Sequence, residues 1–70
     1  MADHVYSITE LVGTSSTTIE DAISNAISRA SKTLRNLEWF EVQETRGMVA
    51  DGKRVGFYQV RLKVGFRVED

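Results

Sequence analysis

The sequence contains no cysteine, which removes disulfides and thiolate metal centres and fits a reducing setting. Cytoplasmic residence is therefore expected. With one histidine, His4, a zinc site built mainly from imidazole within a single chain is not expected either. An excess of charge of one sign is also missing: 9 Lys and Arg stand against 10 Asp and Glu, a net charge of −1, so there is no bulk electrostatic case for nucleic acid or an anionic membrane. No apolar run approaches the ~20 residues that cross a bilayer. The opening Met-Ala-Asp-His has neither the charged head nor the apolar core of a secretion signal. Repeats, linkers and low-complexity stretches are absent, and 41% apolar with 27% charged residues is the composition of a folded globule.

Constellations for catalysis are missing too. His4 sits beside the terminus with no nucleophile partner. Glu41 and Glu44, three residues apart on an expected strand, face opposite ways and make no acid/base pair. There is no glycine-rich phosphate loop, since Gly13-Thr14-Ser15-Ser16 has the simpler role of a turn and a cap, although a helix start can also bind an anion. The chain is not expected to be an enzyme.

What is there is one small domain, residues 1–70, and small domains bury a low fraction of their surface. Without disulfides or metal, oligomerisation is the remaining common staple. The clearest pattern lies in the last third, where Tyr58, Val60, Leu62, Val64, Phe66 and Val68 are apolar at every second position and Gln59, Arg61, Lys63 and Arg67 alternate with them. That is a half-buried strand with one committed inner face. If Leu37-Glu38-Trp39-Phe40-Glu41-Val42 is a strand beside it, Phe40 and Val42 join the inner set. Trp39 then falls on the outer face with Glu41 and Gln43.

Before these comes a first strand, His4 to Val12, ended by Gly13. The helix that follows is signalled by the Thr17/Glu20 capping-box spacing and by acidic Glu20 and Asp21 in its first turn. Its stripe, Ile19, Ala22, Ile23, Ala26, Ile27, Ala30, Leu34 and Leu37, recurs at three- and four-residue steps, and Asn36 suits the left-handed residue that closes a helix. Strand two runs from about Leu37 to Met48. Asp51-Gly52 turns it into strand three, Arg54 to Val68. A right-handed crossover makes strands one and two parallel, with strand three inserted between them and antiparallel to both. The expected fold is α+β: a β-α-β-β protomer whose three-stranded antiparallel sheet, order 1-3-2, wraps around one helix.

Strand three, at about 3.3 Å per residue, spans roughly 50 Å, whereas a compact chain of this length has a radius of gyration near ~11 Å. One helix cannot cover such a strand. The ends of strands two and three must bend around the helix or project into neighbouring subunits, and an obligate homo-oligomer is expected.

Trp39 is the main candidate for chemistry. An outward tryptophan is either buried where subunits meet or a stacking platform for a flat aromatic ligand, and both can hold together. Gln59, on the outer parity of strand three, offers a donor and an acceptor to a ring edge or else is a solvated strand residue. Arg46 shares parity with Phe40 and Val42. Either the helix does not cover that end of strand two, or a bulge near Gly47 re-aims the guanidinium, which would hold a phosphate or ring carbonyl or else pair with Glu44 or Glu41. Arg61, Lys63 and Arg67 form a solvated face, an ion-pair ladder or a phosphate-binding row.

At these residues the chain resembles the dodecins, a family of small flavin-binding proteins. The matching pieces are Leu11-Val12-Gly13-Thr14-Ser15, Arg29-Ala30-Ser31-Lys32-Thr33-Leu34-Arg35-Asn36-Leu37, Trp39-Phe40-Glu41-Val42, Arg46-Gly47, Tyr58-Gln59-Val60 and Lys63-Val64-Gly65-Phe66-Arg67, which together cover nearly the whole chain in order. The resemblance implies a hollow homododecamer of cubic 23 symmetry that binds riboflavin or FMN where subunits meet, with Trp39 at the position that stacks on the flavin. It implies that Gln59 bonds the polar edge of the isoalloxazine, that Arg46 lies near the flavin, and that Arg67 lies near the site or its phosphate. Some bacterial members also bind coenzyme A, for which no residue here is assigned, and Tyr58 carries no ligand role. Gly56-Phe57 departs from the family pattern and bears on the local interface.

The function so implied is flavin storage and sequestration, with the excited state quenched by the indole. Two other classes stay open: a single-stranded nucleic-acid binding module using Trp39 beside Arg61 and Lys63, and a structural oligomer with no ligand.

Overall fold

A computed structural model describes residues 3–69. The elements follow the order β1 (Tyr6–Ser15), α1 (Ile19–Ala30), β2 (Leu37–Ala50) and β3 (Arg54–Arg67). The sheet order is β1-β3-β2 and both pairs are antiparallel, as expected from the sequence.

The first strand starts and ends later than the His4 to Val12 expected, and Gly13 does not stop it. A Cβ at Gly13 would overlap the Ala22 carbonyl oxygen and stand 2.9 Å from Ala26 Cβ. Glycine here allows the backbones of β1 and α1 to touch. The cap is also one residue further on than the Thr17/Glu20 spacing indicates. Buried Ser15 accepts from the Thr17 N–H at 3.0 Å and donates to Asp21 Oδ2 at 2.8 Å. This turn leaves Thr18 in the extended conformation, with its hydroxyl accepting from the Asp21 N–H at 2.9 Å. One orphan donor of the first helical turn is thus satisfied.

The apolar stripe overshoots the helix. The chain leaves α1 after Ala30, with the Leu34 N–H donating to the Ala30 carbonyl at 2.9 Å, so Leu34 and Leu37 lie beyond it. Leu37 instead packs on the core as the first residue of β2. Asn36 is left-handed, with φ 63°, and exchanges bonds with Arg67: its carbonyl accepts from the Arg67 N–H at 3.1 Å and its amide donates to the Arg67 carbonyl at 3.3 Å. Those bonds tie the start of β2 to the end of β3. At the other end Asp51 and Gly52 both have positive φ, 54° and 66°, as a type I′ hairpin turn requires.

α1 packs over β1 and β3. Among the described residues the buried apolar set is Ala22, Ala26, Ala30, Val60, Leu62 and Val64, half of it alanine, so the core is thin. Val60, Leu62 and Val64 are the inner row expected of β3. Phe40 and Val42 face the same way but stay 40% and 44% exposed, because no helix lies over β2. The molecule measures 56 × 20 × 13 Å with a radius of gyration of 14.7 Å, against about 11 Å for a compact chain of this size. It exposes 5177 Å², where a folded monomer of this mass exposes about 4,400 Å². The hairpin of β2 and β3 projects past the helix.

Candidate functional site

The sheet face turned away from α1 carries the candidate residues. On β3 its side chains are Gln59, Arg61, Lys63, Gly65 and Arg67, and the register sets Trp39 opposite Gly65 and Arg46 opposite Gln59. Parity along β2 puts Trp39 and Arg46 on opposite faces. A register shift between Val42 and Glu44 inserts Gln43 as an extra residue and brings Glu44 and Arg46 round to the Trp39 side. The bulge expected near Gly47 is therefore at Gln43. It also overturns the opposed placement of Glu41 and Glu44: they stand opposite Lys63 and Arg61 on one face.

At one end the Trp39 indole lies on Gly65, since a Cβ there would overlap Cε2, Cζ2 and Cη2 of its ring. The Tyr6 ring meets the indole edge-on, centroids 5.2 Å apart and planes at 65°. Trp39 keeps 39% of its surface exposed. Arg67, paired with Tyr6 in the register, belongs to this end. At the other end the Arg46 Nε–H donates to Gln59 Oε1 at 2.9 Å.

The two ends do not meet. Gly65 and Gln59 are six residues apart on an extended strand, about 20 Å at about 3.3 Å per residue. A fused three-ring heterocycle is shorter than that span between the two backbone positions.

Between the ends runs an ionic chain. The Arg61 guanidinium donates to Glu10 Oε2 at 2.6 Å and lies 3.7 Å from Glu44, which is in turn 3.9 Å from Arg46. The hydrogen bond to Glu10, with the charges of Glu10 and Glu44, raises the Arg61 pKa above its ordinary value. Arg61 is thus satisfied within its own chain rather than held free for a phosphate. Among the described residues no cluster of His, Cys, Asp or Glu is arranged to hold a metal, and no helix is long and apolar enough to cross a membrane.

The Dodecin family model matches residues 5–69. This chain belongs to the dodecin family. It is 54% identical over 66 residues to the dodecin of Thermus thermophilus, covering 94% of each chain. The solved dodecin from Streptomyces davaonensis superposes with a TM-score of 0.93 at 49% identity, covering 99% of this chain and 100% of that one. That from Streptomyces coelicolor gives 0.92 at 51%, covering 100% and 99%. The β-α-β-β architecture of this chain is therefore the dodecin fold. Sequence reasoning singled out Trp39 but missed its two neighbours in this fold. Gly65 was detectable as a glycine inside a strand, a mark of close approach. Tyr6 had no signal beyond strand propensity.

Proposed function

We propose that this dodecin-family chain is a flavin-binding protein, not an enzyme, that stores and sequesters riboflavin or FMN at contacts between copies of itself in the cytoplasm. The observation that carries the reading is the Trp39 indole seated on Gly65 and still 39% exposed. A planar guest can stack on an indole, which offers a wide π-surface at little entropic cost.

The ~20 Å between Trp39 and Gln59 supports a site assembled from more than one protomer. Trp39 then supplies the platform, while Gln59, held by Arg46, comes from another copy and meets the polar edge of the ring. Arg67, at the Trp39 end, is the cation available to a ribityl phosphate. The uncovered inner face of β2 and the thin core support an obligate assembly, for which family membership points to the homododecamer. Coenzyme A is a second ligand to test, with no residue assigned. Bound there, a flavin would supply a planar redox-active ring, and Trp39 would be the residue placed to stack on it and quench its excited state.

The paired state of Arg61 speaks against a phosphate-tracking row and so against single-stranded nucleic acid as the partner. The test is a titration of riboflavin and FMN fluorescence with ligand-free protein, alongside mass spectrometry of whatever ligand the purified protein carries. Quenching by the wild type and its loss in Trp39→Ala are expected. Flavin that stays fluorescent with the wild-type protein overturns the reading and leaves a ligand-free structural oligomer.

A further inference from the structure

Trp39 sits on an edge strand that is exposed along nearly its whole length, a poor setting for holding a side chain in one orientation. Two groups that lie against the ring come from the other two strands. β1 and β2 are separated by β3, so their axes stand about 10 Å apart at about 4.8 Å per strand spacing. Side chains on strands so far apart are normally kept from contact by the residue between them.

Here that residue is Gly65. It pairs with Ile8 on one side and with Trp39 on the other, and any Cβ would occupy the space of the indole. The gap lets the indole fold flat over β3 toward β1, where Tyr6 meets it at 5.2 Å and 65°. That geometry is favourable for the aromatic quadrupoles. Trp39 remains 39% exposed.

We infer that Tyr6 and Gly65 are positioning residues for Trp39: the glycine supplies the floor and the tyrosine the side wall that hold the indole plane outward for stacking. The inference rests on the flavin-binding reading for its consequence but not for its geometry. An indole already held in plane loses less freedom when a ring stacks on it, so loosening the seat weakens the ligand without removing any atom that touches it.

Trp39 is the only tryptophan, so its near-ultraviolet circular dichroism and fluorescence anisotropy report the seat directly and without ligand. Tyr6→Leu keeps an apolar side chain in the strand, Tyr6→Phe keeps the ring, and Gly65→Ala fills the floor. Light scattering and far-ultraviolet circular dichroism select variants that assemble and fold as the wild type does. Tyr6→Leu and Gly65→Ala are expected to lose the tryptophan dichroism band, speed the anisotropy decay and raise the riboflavin Kd about three- to ten-fold, the range of an aromatic pair. Tyr6→Phe is expected to retain both signals.

Wild-type tryptophan signals in Tyr6→Leu overturn the inference. So does a lost band with unchanged riboflavin Kd, or a Tyr6→Phe protein as impaired as Tyr6→Leu. If wild-type protein takes up no riboflavin, the flavin reading falls alone. A Tyr6→Leu protein with a lost tryptophan band still supports the seat.

Discussion

Arg46 and Gln59 face each other across β2 and β3, Nε to Oε1 at 2.9 Å, although counting along β2 from Trp39 puts Arg46 on the opposite face. The extra residue at Gln43 makes the pairing possible. The bond leaves the Gln59 amide nitrogen directed away from Arg46.

Removing either partner is expected to weaken riboflavin binding, and removing both to cost less than the sum. A double-mutant cycle with Arg46→Ala and Gln59→Ala, read as riboflavin Kd, should give a coupling of about 0.5 kcal/mol or more, the lower bound for residues in contact. Strict additivity would show that the two act separately.

The thin core makes single positions expensive. Leu62 is fully buried beneath α1 beside Val60 and Val64, and Leu62→Ala is expected to lower stability by about 2–5 kcal/mol. The check is the urea midpoint at fixed protein concentration, since association contributes to apparent stability.

Gly13→Ala tests the close approach of β1 and α1. The added methyl overlaps backbone, the Ala22 carbonyl oxygen, which cannot rotate away. A loss of about 1–3 kcal/mol is expected, as for an overpacked core, with a lowered thermal midpoint as the readout. A variant as stable as the wild type would mean that the helix shifts freely on the sheet.

The Arg61 network predicts where pH should have no effect. A base whose pKa is raised on folding contributes stability that is complete below its unfolded pKa and is lost only as pH rises through the folded value. For Arg61 that window lies above the ordinary arginine pKa. Between about pH 6 and 9, where arginine stays charged, wild type and Arg61→Met should therefore show parallel denaturation midpoints. Diverging curves in that interval would assign Arg61 a partner other than Glu10 and Glu44.

How far sequence alone reaches differs from element to element. Alternation from Tyr58 to Val68 specified the inner row of β3, because a one-residue slip would turn every apolar side chain outward. Asp51-Gly52 specified the hairpin, because its turn requires positive φ at both positions. The alanine and isoleucine stripe located the helix but not its end. Nothing in Leu34 or Leu37 distinguishes a side chain on a helix from one that reaches the same core out of a loop or strand.

The order of the strands, the outward tryptophan and the excess of length over helix all follow from pattern and chain dimensions, which are local or additive properties. The turn of Arg46 to the Trp39 face, the meeting of Tyr6 with Trp39 over Gly65, and the gap between the indole and Gln59 do not. A bulge demands no particular residue type, so Gln43 carries no mark of it. Which side chains share a spot on the sheet is decided by register between strands far apart in sequence, and only the folded chain sets that register.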